Sequence, residues 1–310
     1  MSPLPLRTLA PAKINLGLFV GPRRAPDGRH ELATVVQAIS LADELTLEYA
    51  EVAAGADEVV CSGLALDGPE TLAASALRAF RDAAGWDAPA LRLRIVKRIP
   101  IAAGLGGGSA DAAGALRLAR AASGLGSDEL LQDLAVGLGA DVAALLTPGR
   151  WLATGAGELL HELPPPSHPF GVLVLAAGAG LSTATVYEQA DRLADGRTQP
   201  QLRRIAGDLR TALELGAAMP AAHELLHNDL QSAALALSPE IEPALQQALA
   251  SGADAAFVSG SGPTVVGLFV RANGPGRAQR AVAGLGARQP APLWAESVQA
   301  PFARVHASDM

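Results

Sequence analysis

Cysteine occurs once, at Cys61, so no disulfide can form within the chain. A basic surface is missing too. The formal net charge is −7 and the arginines are spread thinly, which argues against a nucleic-acid partner. Long apolar runs are also absent: AAFVSGSGPTVVGLFV has 16 residues and is broken by glycines and a proline, too interrupted for a membrane span. The first residues, MSPLPLRTLAPAK, carry prolines where a signal peptide needs an apolar core. These absences predict a cytoplasmic protein that acts on a small molecule and binds neither membrane nor nucleic acid. Lysine is rare beside arginine, alanine and glycine, a bias that reads as genomic and carries no functional weight.

What is present is a chain of 310 residues, enough for two medium domains. The stretch ELPPPSHPF can be neither helix nor central strand, and it predicts a boundary that divides the chain into residues 1–163 and 164–310. In KINLGLFV the apolar residues Ile14, Leu16, Leu18 and Val20 alternate. That period predicts a strand with Lys13 and Asn15 together on its other face. LRLRIVKRIP alternates in the same way and ends at Pro100. The alanine-rich run after Ser109, itself a natural cap or first-turn residue, predicts a helix up to Ser123-Gly124. A second helix begins at Ser127 and leaves Asp141 on the loop beyond its end. Farther on, GVLVLA reads as a buried strand and STATVYEQADRLA as a helix capped by Ser182 or Thr183. Residues 201–250 read as mostly helical, and AAFVSGSGPTVVGLFV as two strands joined by a turn at Gly260 to Pro263. The pattern is α+β.

Between the second strand and the alanine-rich helix lies PIAAGLGGGSA, with four glycines among residues 104–108. A glycine loop that enters a helix N-terminus presents unpaired N–H groups and the positive end of the macrodipole, a combination that suits phosphate. Gly108 is followed by Ser109-Ala110-Asp111 instead of a Lys-Ser/Thr pair, which excludes a P-loop. The loop also arrives too late in the chain for a dinucleotide fingerprint. On this reading Gly106→Val destroys nucleotide binding and leaves the fold largely intact. HELLH at residues 223–227 has the spacing of a zinc helix. It lacks a third ligand in the expected position, however, so an amphipathic helix accounts for it.

Three stretches taken together, PAKINLGL at 11–18, PIAAGLGGGSADAA at 100–113 and VSGSGPT at 258–264, resemble the GHMP small-molecule kinases. Four more, PDGRHELATVVQ at 26–37, GADV at 139–142, GLSTATVY at 180–187 and HNDLQ at 227–231, are similar to the branch whose alcohol is a cytidine diphosphate-linked methylerythritol. The resemblance implies a two-domain fold, with an N-terminal ribosomal protein S5 domain 2-like half and a ferredoxin-like C-terminal half, and an active site in the cleft between them. It implies transfer of the γ-phosphoryl group of ATP, with Mg2+, to the 2-hydroxyl of that substrate in the non-mevalonate route to isoprenoids, by a monomer or homodimer. Lys13 and Asp141 would be catalytic. Pro100, Ile101, Ala102, Ala103, Gly104, Leu105, Gly106, Gly107, Gly108, Ser109 and Ala110 would bind ATP, with Ser109 near the metal. Asn15, Arg29, His30, Thr183, Tyr187 and Thr264 would bind the acceptor. Arg29 departs from the pattern, which has a tyrosine there to stack on cytosine. The alternative is another GHMP kinase, of homoserine, mevalonate or sugar type, with a redirected pocket.

Overall fold

The computed structural model describes residues 4–25, 27–51, 56–62, 71–193, 196–214, 226–286 and 290–307. The first half holds β1 (Leu6–Arg23), β2 (His30–Tyr49), β3 (Glu58–Ser62), α1 (Leu72–Ala84), β4 (Leu91–Val96), α2 (Gly107–Ser123), α3 (Asp128–Leu138), α4 (Ala140–Leu146), β5 (Arg150–Thr154) and β6 (Leu159–Glu162). The second holds β7 (Gly171–Leu175), α5 (Thr183–Leu193), α6 (Gln199–Glu214), α7 (Gln231–Leu237), α8 (Ile241–Ala250), β8 (Ala255–Val258), β9 (Val265–Phe269), α9 (Gly274–Leu285) and β10 (Leu293–Glu296). The chain then returns as β11 (His306–Ala307) to pair with β1 in the first sheet.

The first sheet runs β11-β1-β2-β4-β3, with β5 and β6 added beside β2. Its only parallel pair among the described strands, β3 with β4, brackets the crossover helix α1. The second sheet runs β10-β7-β9-β8 and is antiparallel throughout. This is the 4-1-3-2 order of a ferredoxin-like βαββαβ unit, so the chain is α+β with two sheets. One apolar core crosses between the halves: Phe170, Val172, Val266 and Leu268 of the second share a cluster with Ile14, Ile39 and Leu116 of the first. Each such buried side chain contributes about 1.5–3 kcal/mol, so the halves are packed as one body. No described helix is long and apolar enough to cross a membrane.

Helix boundaries follow local chemistry. Thr71 caps α1 by accepting from the Ala74 N–H, and Ser127 caps α3 by accepting from the Leu130 N–H. Helix α2 starts at Gly106 and stops at Gly124, both in the left-handed region. Its small residues let it lie close on the first sheet; a methyl group at Gly114 would meet Leu45 at 2.7 Å. One expectation needs correction. Asp141 is not on a loop but in the first turn of α4, because Gly139, at φ 155°, redirects the chain and a new helix starts at once. The polar face of β1 is buried: Lys13 and Asn15 are 5% and 7% exposed, because the two glycine-rich turns close over them.

Candidate active site

A cavity of about 940 Å³ lies between the halves, and its wall includes Lys13, Asn15, Arg29, His30, residues 100–109, Asp141, Thr183, Tyr187 and Ser261. At its centre Lys13 Nζ stands 3.4 Å from Asp141 Oδ2 and donates to Asn15 Oδ1 at 2.9 Å. Asn15 in turn donates to Thr34 Oγ1, and Thr34 to the Gly17 carbonyl. This relay from β2 through β1 orients the buried ammonium. The Asp141 carboxylate faces the cavity with its side chain 39% exposed. It sits at the N-terminal turn of α4, where the helix field favours negative charge.

Above this pair the first glycine turn joins β1 by a hydrogen bond from the Lys13 N–H to the Leu105 carbonyl. Its glycines are not equivalent. Gly106, at φ 70°, packs on Lys13, where a Cβ would meet Cγ at 3.0 Å. Gly104, at φ 71°, abuts the second turn, where a Cβ would lie 2.3 Å from the Ser259 carbonyl oxygen. Gly108 alone among the four faces open space. Gly106→Val therefore strains the backbone locally and crowds the Lys13 side chain.

Nearby, His30 Nδ1 donates to the Gly21 carbonyl at 2.8 Å, and its Nε2 lies 3.3 Å from Asp191 Oδ1. The His30 ring lies 5.1 Å from that of Tyr187, whose hydroxyl burial pushes up to about 12, so the phenol stays neutral. Arg29 donates to the Ala156 carbonyl at 2.6 Å, which fixes its guanidinium on the cavity wall. Thr183 shares a hydrogen bond with Ser261 at 3.1 Å.

Two expected residues are absent from the wall. Ala110 is fully buried one turn into α2, and Thr264 is fully buried beneath the second turn with its hydroxyl unpartnered. Ser261, not Thr264, is the side chain that this turn offers to the cavity. Of HELLH, His223 and Glu224 lie outside the described residues. His227 pairs with Asp229 and stacks on Phe19.

The sequence reading also missed Lys97. Its ammonium bridges Asp43 at 2.5 Å and Asp111 at 2.6 Å where they meet beside α2. Burial pushes the Asp111 carboxyl well above the usual carboxylate range, against the pull of Lys97. The two carboxylates outweigh burial and raise the lysine's own value. A signal was available: the chain has two lysines, Lys13 and Lys97, and both line the cavity. Scarcity set aside as genomic thus marked the two ammonium groups of the cleft.

A model of the GHMP kinase N-terminal domain matches residues 71–149, and one of the GHMP kinase C-terminal domain matches residues 201–290. The chain belongs to the GHMP kinases. It is 43% identical over 281 residues to a 4-diphosphocytidyl-2-C-methyl-D-erythritol kinase of Salinispora arenicola, covering 87% of this chain and 84% of the relative. A protein of that name from Streptomyces coelicolor is 45% identical over 264 residues, covering 83% and 85%. A crystal structure of 4-(cytidine 5'-diphospho)-2C-methyl-D-erythritol kinase superposes with a TM-score of 0.72 at 34% identity, covering 94% of this chain and 98% of the other. A homoserine kinase from Cytophaga hutchinsonii reaches a TM-score of 0.73 at 15% identity, covering 99% and 98%. The backbone alone therefore does not select the alcohol; the resemblance that does so is carried by side chains.

Proposed function

We propose that the cleft transfers the γ-phosphoryl group of ATP to the 2-hydroxyl of 4-diphosphocytidyl-2-C-methyl-D-erythritol. The chain is a small-molecule kinase, and the observation that carries this reading is the Lys13–Asp141 pair at 3.4 Å, set between the N-terminus of α2 and the Arg29–His30–Tyr187 wall. Phosphoryl transfer asks for alignment and stabilisation of spreading charge, with no covalent intermediate on the protein. The open amides of Gly107, Gly108 and Ser109 at the α2 N-terminus are suited to the phosphate oxygens. Asp141 takes the proton of the tertiary hydroxyl as the new bond to phosphorus forms. Lys13, held by Asn15, stabilises the developing negative charge.

Tyr187 and the planar Arg29 guanidinium supply faces on which a cytosine can stack. His30 supports Tyr187 from behind, and Ser261 with Thr183 faces the methylerythritol arm. Among the described residues no cluster of three or more acidic, histidine or cysteine side chains could hold a metal alone. That fits Mg2+, which keeps its waters and binds through one or two protein oxygens plus substrate phosphates. Ser109 and Asp141 on the cavity wall would offer oxygens to such an ion, which when bound would neutralise phosphate charge. Residues 1–163 carry the nucleotide side of the cleft and most of its wall, and 164–310 close it with Thr183, Tyr187, Leu230 and Ser261.

The test is Mg2+-ATP-dependent ADP release with the cytidyl substrate, homoserine, mevalonate and galactose, for the native chain and Asp141→Asn. Turnover of the cytidyl substrate alone, abolished by Asp141→Asn with binding retained, is the expected result. Preference for another alcohol would overturn the substrate, and undiminished turnover by the variant would overturn the role of Asp141.

A further inference from the structure

We infer that Arg117, far from the reacting atoms, is a positioning residue for phosphoryl transfer, acting by locking the short helix that carries Asp141 to the strand that carries Lys13. Arg117 projects from α2. Its Nη1 donates to the Leu145 carbonyl at 2.8 Å and to the Leu146 carbonyl at 3.3 Å, and its Nη2 donates to the Leu9 carbonyl at 3.0 Å. Leu145 and Leu146 are the last residues of α4. Leu9 lies on β1, four residues before Lys13. One planar fork thus ties together the helix whose N-terminus faces the nucleotide, the strand of the lysine and the helix of the aspartate.

The physical need is specific. Helix α4 has seven residues and no side-chain cap at its start, so it is about 10 Å long and holds itself in place poorly. Its terminal carbonyls must find donors. Arg117 serves two of them, and the Trp151 indole N–H serves that of Thr147 at 3.0 Å. A rigid segment of that length, pinned at its C-terminal end, transmits the restraint to Asp141 in its first turn. No carboxylate partners Arg117 within the hydrogen bonds and ion pairs of the described residues; three main-chain carbonyls do. Burial pulls its pKa down to about 10, which leaves it a cation at neutral pH. A cation at a helix C-terminus is also favourable for the macrodipole. Lysine, with a single ammonium, cannot reproduce the fork and can reach one or two of the three carbonyls.

The inference rests on the role assigned to Asp141, and the experiment separates the two. Arg117→Met and Arg117→Lys are compared with the native chain by kcat, by KM for both substrates, by melting temperature, and by hydrogen exchange over residues 139–146. Arg117→Met is expected to lower kcat by about tenfold to a hundredfold, as small misplacements of reacting groups do, with each KM changed by less than about threefold. Arg117→Lys should recover part of the loss, and exchange in α4 should rise before that in α2. Native kcat in both variants overturns the inference, as does a parallel change in kcat and KM or α4 exchange identical to that of the native chain. Should Arg117→Met fail to fold, Arg117→Lys decides by the same split. A native chain that turns over none of the substrates sinks the functional reading instead, and α4 exchange then judges the role of Arg117 by itself.

Discussion

The two glycine-rich turns, residues 104–108 and 259–263, look alike on paper and do different work. In the first, Gly108 opens onto the cavity while Gly104 and Gly106 are spent on contacts with Ser259 and Lys13. In the second, Gly260 lies against Asn15 and Lys13, and Gly262 against Val258. Asn228 holds this turn from beneath by donating to the carbonyls of Val258 and Gly260. Glycine in the first turn therefore has two causes, room for a ligand and room for neighbouring protein atoms; in the second only the latter is evident. Both turns converge on Lys13.

The point of convergence should give the largest effect. Lys13→Met removes the charge both turns surround and is expected to cost about a thousandfold in kcat, comparable to losing a main electrostatic stabiliser. Steady-state kinetics beside an unchanged circular dichroism spectrum would check this. Next comes Gly104→Ala, which sets a Cβ against the Ser259 carbonyl oxygen at a positive φ. It should destabilise the protein by about 2–4 kcal/mol in urea unfolding. Gly108→Ala is the contrasting case: a methyl group in open space on a helix should leave stability equal or raised by about 0.5–1 kcal/mol. KM for ATP should nevertheless rise about tenfold if bare amides meet the phosphates. If Gly104→Ala and Gly108→Ala gave the same pattern, the division between the two kinds of glycine would fail.

The smallest effect lies next to Asn228, at Asp229, whose carboxylate accepts from the Val20 N–H of β1. Burial alone would raise its pKa, but His227, Arg197 and the Val20 N–H outweigh burial and hold it below 3.8. Its stabilising contribution is thus fully present above about pH 4 and is lost as pH falls through the lower folded value. Asp229→Asn should lower the melting temperature at pH 6 and converge on the native chain in strong acid.

Much of the frame was legible because it is local. Alternation revealed β1 and β4, Ser127 marked the start of α3, and the glycine loop between a strand and an alanine-rich helix stood where expected. What the sequence hid depends on turns of the backbone or on distant partners. The restart at Gly139 that puts Asp141 on a helix is one dihedral angle wide. The choice of Ser261 over Thr264 depends on which way each residue points in a tight turn. The Lys97 cluster needs Asp43, 54 residues earlier. The buried polar face of β1 became intelligible only once two distant turns covered it.

The placement of the two lysines has a practical consequence. Lys13 and Lys97 are 5% and 6% exposed, and every other basic side chain apart from histidine is an arginine. Acylating reagents, amine-directed crosslinkers and lysine acylation enzymes therefore find almost no ε-amine on the outer surface. Whatever reacts there has entered the cleft, which makes side-chain amine labelling a direct readout of whether the cleft is empty or filled.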